Sequence, residues 1–578
     1  MAYFLKQSKN KKGIYLQIYE SFYDPARGYT AHKSYKAIGY LKELKKKGID
    51  DPVTYYKNEI DELNREIKFK KENEKIKKIG ETTPEKCLGK FLIDALNKTL
   101  GINKDMSLMN LVYEGKTDIY KTICSLINAR IICPSSKRKT YLDVLPLLGY
   151  KTSEYSLDQL YDVLNFIGEE YEKFIEIYNH CINNYFKRDT SKTYYDGTNF
   201  YFEIDKEDDF RKKGPSKENR RCPIVGMGLL LDSDTIPIGM KLYPGNESEK
   251  PYINDAIETL RKKYKATGKI IRVADKGLNC ADNIANAILA GDGYIFSKSI
   301  KQLPKKELTW ALQNDNWKIV KDKDGNEVYR YKSCVDEFEY KVTTKQGGKK
   351  TTSLKEKRVV SYNHKLARKQ IAEINRQVDK ARSLRLSEAK KSEYGDCAKY
   401  VVFSPIDKNG EVADDVVAPT LNHDAIKKAK ALAGYNMIVT SETNMSSEEI
   451  YTTYHNLWRI EESFKIMKSQ LDARPVFLQK ESTITGHFLI CYLSVLLLRL
   501  LQIKIFDNEY CCEDIIKFIR QFRVVDMTNK KFINLSKQSN ISKMLEQKFY
   551  LPVNYYYLSK KNITDINKFK FRLTKLKI

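Results

Sequence analysis

Apolar and polar positions follow different rhythms in different parts of the chain. At the start they alternate in short runs, as in GIYLQIYESFYD, the two-residue period of half-buried strands. From Thr54 to Lys78 the pattern becomes that of a highly charged, solvated helix, so residues 1–80 read as a small β-rich piece plus that helix. Residues 81–190 repeat apolar residues at intervals of three and four, in CLGKFLIDALNKTL, IYKTICSLINARII and LDQLYDVLNFI, and predict a helical region. After Lys192 the period changes to two. KTYYDGTNFYFEI alternates around Asp196, and CPIVGMGLLLD and TIPIGMKLYPGN read as two strands joined at Ser233-Asp234. Pro251 to Lys265 reads as a helix, GKIIRVAD as a strand ending in Asp275, ADNIANAILAG as a helix and GYIFSKS as a strand.

The order β-β-β-α-β-α-β over residues 191–299 is that of a ribonuclease H-like core. Residues 300–434 interrupt it with hairpin-like pieces such as WKIVKDKDGNEVYRYKS and EYKVTTKQGGKKTTS, then a charged helix, NHKLARKQIAEINRQVDKARS. The core resumes over residues 435–505 with the strand YNMIVTS and a long helix opened by Ser446 and Glu449 as a capping box. Residues 506–578 are basic and partly helical, with no task assigned. The predicted fold class is α/β: a ribonuclease H-like (retroviral integrase-like) catalytic core with a β-rich insertion, preceded by a mostly helical N-terminal region. The apolar run His487 to Ile505 is interrupted by Arg499, whereas a membrane span takes about 18 or more uncharged residues, so it predicts a buried core helix and no membrane partner.

Charge narrows the partner. Lys and Arg total 102 against 75 Asp and Glu, a net charge of +27 that favours a polyanion. The basic loop Pro134 to Thr140, between two predicted helices, suits DNA backbone, and makes 81–190 a candidate DNA-binding domain. Eleven cysteines in an odd, irregular pattern without Cys-x-x-Cys argue against a disulfide framework or zinc knuckle and fit a reducing cytosol. The stretch Gly347-Gly-Lys-Lys-Thr-Thr lacks the register of a phosphate loop and reads as a basic hairpin turn.

Three carboxylates carry the candidate chemistry. Asp196 lies inside an alternating strand, where a buried carboxylate needs a partner such as a metal ion, unless it faces solvent on an edge. Asp275 sits at the carboxyl end of a strand, where sites of open α/β sheets gather, although loop-capping aspartates occur there too. Asp282 fits the N-cap of the next helix better. In the long helix, Tyr454, Glu461 and Lys468 are spaced by seven and share one face, with Lys465 near it; ordinary pairing of Glu461 with Lys465 is the plainer alternative. Phosphodiester cleavage needs an activated water and a stabilised leaving oxygen, which two divalent ions about 3.5–4 Å apart can supply from a carboxylate cradle.

The stretches YYDGTNFYFE, GMGLLLDSDTIPIGMKLYPGNESE, VADKGLNCADNI and YHNLWRIEESFKIMKSQLDARPVF, followed by GHFLICYLSVLLLRLL, resemble the DDE transposases of bacterial insertion sequences. The similar group is the insertion sequence four superfamily, marked by a Tyr-Arg-Glu-Lys signature. The resemblance implies that Asp196, Asp275 and Glu461 are the catalytic and metal-binding triad. Two Mg²⁺ ions would serve, with Mn²⁺ as a substitute. Tyr454, Glu461 and Lys468 fit the signature; its Arg position is Leu457 here, and Arg459 stands two residues later. Trp458 falls near a tryptophan that handles a flipped base in this group, and equally suits a core position. Tyr454, Trp458, Arg459, Lys465 and Lys468 are the implied DNA contacts. The implied activity is cleavage at terminal inverted repeats and transfer into target DNA, with a hairpin intermediate common in the group. The working unit would be a homodimer on double-stranded DNA, in a prokaryotic cytoplasm at the nucleoid. A binding-only protein and a stand-alone nuclease are the other readings that the same residues allow.

Overall fold

A computed structural model describes residues 2–24, 29–75, 85–218, 221–264, 268–344, 347–386, 391–405, 417–527 and 531–576. The chain divides into two compact units, Met1–Pro84 and Glu85–Ile578.

The smaller unit is a three-stranded antiparallel sheet of Ala2–Asn10, Gly13–Asp24 and Tyr29–Tyr40, followed by helices Leu41–Lys46 and Pro52–Lys75. Leu16 and Ile18 point inward, as the alternation predicts. Asn64 of the long helix closes on the first strand through both hydrogen bonds of the Tyr3 backbone, at 2.9 and 3.0 Å. Residues 76–78 of the predicted charged helix lie outside the described residues.

The larger unit is mixed α/β. Helices Phe91–Leu100, Ile102–Val112, Ile119–Ile132, Leu157–Glu169 and Tyr171–Asn183 build its helical part. Through it runs helix Glu481–Leu500, buried continuously from Thr483 to Leu500. This helix is long and apolar enough to cross a membrane, yet it is apolar all round because protein surrounds it, as expected of a core helix. It packs chiefly on Leu157–Glu169, and two glycines set the distance. A Cβ at Gly168 would collide with the Ser482 carbonyl, and one at Gly486 with the Leu164 carbonyl.

Nine strands form one mixed sheet: β1 (Lys192–Tyr201), β2 (Ile224–Leu231), β3 (Pro237–Pro244), β4 (Ile271–Ala274), β5 (Gly293–Lys298), β6 (Lys318–Lys321), β7 (Glu327–Thr343), β8 (Lys349–Tyr362) and β9 (Tyr435–Thr440). Their order is β6-β7-β8-β9-β5-β4-β1-β2-β3. The β1–β4 and β4–β5 pairs are parallel; the others are antiparallel. Helices Tyr252–Tyr264 and Ala281–Leu289 carry the chain into β4 and β5, so the element order matches the one read from the sequence. The β-rich segment after β5 does not stand apart: three of its strands extend the same sheet, and among the described residues the antiparallel pair Val401–Pro405 and Val417–Leu421 is separate.

One local expectation changes, and one region gains strands beside its expected helices. The helix after Asp275 is capped at Cys280, not Asp282, whose carboxylate instead accepts from the Thr343 backbone N–H (2.8 Å) and hydroxyl (3.1 Å). The basic C-terminal region contributes strands Arg523–Met527, Lys531–Asn534 and Tyr557–Ser559 to a small sheet completed by Lys86–Cys87. Strands this short carry too few alternations to show a period in sequence.

Candidate active site

The ladder between β1 and β4 pairs Tyr195 with Ala274, so the next residue on each strand is an aspartate: Asp196 and Asp275 stand side by side at the same level. Parallel pairing is what does this, because the first half of β1 runs in step with the whole of β4, so the middle of β1 meets the carboxyl end of β4.

Asp275 accepts two hydrogen bonds on Oδ1, from the Ser297 hydroxyl of β5 (3.0 Å) and the Tyr454 hydroxyl (3.1 Å). Asp196 Oδ1 accepts from the Gly197 N–H at 2.8 Å and lies 3.9 Å from the Lys217 ammonium, which also holds the Gly197 carbonyl. The Asp196 side chain is 20 % exposed. Burial raises its carboxyl to about 6; the Glu249 and Asp275 charges push the same way, against Lys217 and the Gly197 N–H.

Glu249 was not singled out from the sequence, although it closes the stretch YPGNESE. A Cβ at Gly197 would collide with its carboxylate, and one at Gly277 would sit 3.1 Å from Oε1. Its carboxylate therefore rests on the glycines that follow Asp196 and Asp275. Glycine behind each candidate aspartate was the signal available in sequence: close approach needs the missing side chain.

The helix expected from Ser446 to Gln470 is two segments, α1 (Ser447–His455) and α2 (Trp458–Lys465), ending in a π turn, Ile466–Gln470. Ser446 caps it by accepting from the Glu449 N–H, while the Glu449 side chain goes to Lys192 rather than closing the box. Asn456 and Leu457 keep near-helical backbone, so the chain bends without turning away. The first segment lies against β5 and β4, the second against β1. Tyr454 reaches Asp275 at one end; at the other Lys468 reaches Glu218 (3.2 Å) and lies 5.3 Å from the Phe200 ring centroid. Burial, with Lys217 adding to it, lowers the Lys468 ammonium to about 8. Glu461 lies between these two anchors in sequence, exposed, and in no ion pair among the described residues.

The other expected contacts diverge. Lys465 turns to Glu513, 2.9 Å away, which raises its ammonium, so it does not pair with Glu461. Arg459 bonds Glu462 (3.2 Å) and covers the Trp458 ring at 4.0 Å. Trp458 is 48 % exposed, which sets aside the core alternative. Leu457, at the signature's Arg position, is packed in the core. Glu462, beside Glu461, is held by the fully buried Arg499 at 2.9 Å, which pins α2 to the central helix.

The donor set suits a divalent cation. Asp196, Asp275 and Glu249 supply hard oxygens; burial, with the Glu249 and Asp275 charges adding to it, raises the Asp196 carboxyl, and Lys217 already brings a positive charge to it. Among the described residues no three acidic, His or Cys side chains are close enough to form a finished metal cage.

Residues 187–498 match the family model described as transposase DDE domain. No curated protein matches the chain. Among solved structures, the chain is similar to a piggyBac transposase in a cryo-EM synaptic complex with hairpin DNA, at 7 % identity over 84 % of this chain and 85 % of that one, with a TM-score of 0.36. A similarity that low carries no argument here.

Proposed function

The chain belongs to the transposase DDE domain family, enzymes that cleave and transfer DNA, and from that premise we propose that Asp196, in the middle of β1, Asp275, just past the carboxyl end of β4, and Glu461 form its catalytic triad. The observation that carries the reading is the side-by-side register of Asp196 and Asp275, with α1, the segment that leads into the Glu461 helix α2, fastened to the same edge by Tyr454. The strand order β3-β2-β1-β4-β5 with two crossover helices supports a ribonuclease H-like core.

Asp196, Asp275 and Glu461 would hold two divalent ions, Mg²⁺ by preference for carboxylate oxygen, with Mn²⁺ as a substitute. When bound, such ions supply an activated water and a stabilised leaving oxygen. The chain's own groups do the rest. Ser297 and Tyr454 fix the Asp275 carboxylate by donating to it. Lys217 and Lys468 place two positive charges beside β1, where the phosphate of the cleaved strand would lie. Trp458, exposed and backed by Arg459, offers a ring on which an extruded base can stack, which a hairpin intermediate would require. The DNA would be the inverted-repeat ends of the element and a target duplex, held by a homodimer.

The test uses the full chain and duplex DNA carrying the element's own end, with Mg²⁺ or EDTA. Nicking at the repeat boundary that needs Mg²⁺ and is lost in Glu461→Gln, while DNA binding persists, is the expected result. Cleavage surviving Glu461→Gln would remove Glu461 from the triad, and DNA binding without cleavage by the wild type would favour a binding-only protein.

A further inference from the structure

A second basic site lies where the loop Pro134 to Thr140 meets the segment after residue 470. Lys137 and Arg130 are each only 6 % exposed. The Lys137 ammonium lies 3.1 Å from His487 Nδ1. His487 Nε2 is 3.0 Å from the Ala473 carbonyl, so it carries the ring proton and Nδ1 accepts from Lys137. Arg130 donates to the backbone carbonyls of Ser135 (3.1 Å), Leu471 (3.3 Å) and Asp472 (3.4 Å). Among the described residues neither cation has a carboxylate partner. Two buried cations satisfied only by neutral acceptors are costly, and an arriving anion would relieve that cost.

Both cations line one open cavity with Ser135, Ser136 and the exposed Arg138. Arg474 lines it too, and pairs with Glu218, which in turn holds Lys468 beside β1. The cavity is therefore linked by ion pairs to the edge that carries Asp196. Burial, with Arg130 adding to it, brings the Lys137 ammonium down to about 7, so anion binding would restore its full charge.

We propose that this cavity binds a phosphodiester of the DNA strand that the active edge processes, with Lys137 and Arg138 as its phosphate contacts. The inference rests on the transposase reading and adds a contact outside the triad. Phe477, 71 % exposed on the rim, favours a polynucleotide over free phosphate, since a base can stack on it beside the phosphate.

The experiment measures binding of element-end DNA by the full chain as a function of salt, for wild type, Lys137→Met and Arg138→Gln. Each substitution is expected to lower the slope of log K against log salt by about one. Arg138 is exposed, so its variant folds even where Lys137→Met does not. A parallel arm follows the melting temperature with inorganic phosphate at constant ionic strength. Unchanged DNA slopes in both variants, with a wild type that binds and cuts, overturn this site and leave the triad standing. If a phosphate-induced rise in melting temperature then depends on Lys137, the ligand is free phosphate. A wild type that binds no DNA overturns both readings.

Discussion

The Tyr454 hydroxyl donates to Asp275 Oδ1 at 3.1 Å, and this one bond joins α1 to the end of β4. Burial, and then the Asp275 charge, push the phenol up, so Tyr454 remains a donor throughout the neutral range. The tyrosine thus both steadies a carboxylate and sets where the Glu461 helix begins its path along β1.

Tyr454→Phe removes that donor while keeping the ring. A hydrogen bond to a charged group contributes about 1.5–3 kcal/mol, so end cleavage should slow by about ten- to a hundredfold. Urea unfolding of the metal-free protein should shift by no more than the same about 1.5–3 kcal/mol, because Ser297 still holds Asp275. Single-turnover rates equal to wild type would dismiss the positioning role.

Asp196 gives a pH signature. Its folded carboxyl is raised to about 6 from 3.8, so the native state binds more protons than the unfolded chain between those values. Stability from this group is present below about pH 4 and is lost as pH rises through 6. Asp196→Asn should therefore raise the melting temperature of metal-free protein at pH 8, by about 1–3 kcal/mol in stability, with the gain gone near pH 4. A gain of equal size at both pH values would contradict the burial argument.

Glu249→Gln tests the fourth carboxylate. Loss of its charge relieves the repulsion on Asp196 and removes one oxygen donor from the edge. The Mg²⁺ concentration needed for half-maximal cleavage should rise several-fold, while the thermal stability of the metal-free protein should increase. A metal requirement identical to wild type would leave Glu249 a bystander.

The ion pair of Glu462 with Arg499 should matter more than that with Arg459. Arg499 is fully buried, and truncating its partner leaves a buried charge with the neutral side chains of Gln502, Thr235 and Cys512 around it. Glu462→Ala should cost about 2–4 kcal/mol in urea unfolding, against less than about 1 kcal/mol for Arg459→Ala, whose guanidinium is partly exposed. Equal costs would show that burial is not the governing term.

The strands bearing Asp196 and Asp275 and the helix bearing Glu461 could be read from alternation and heptad-like spacing, since each is encoded within a few consecutive residues. Contacts made only by folding could not. Glu249 reaches the edge because the chain after β3 falls back across Gly197 and Gly277. Lys465 goes to Glu513 of a distant helix rather than to its own helical neighbour. Trp458 has the composition of a core residue, and only packing puts it at the surface. Leu457, a departure from the signature, fills a core position beside the bend.

The strand β9 has β5 on one side and β8 on the other. The segment between β5 and β9 thus serves as the hem of the sheet as well as a passenger within it. Cut it out, and Met437–Thr440 would present bare backbone donors and acceptors along a buried apolar strand, an invitation to pair with any neighbouring chain. A shortened version of this protein would first be adhesive, and its solubility would fail before its chemistry was ever tried.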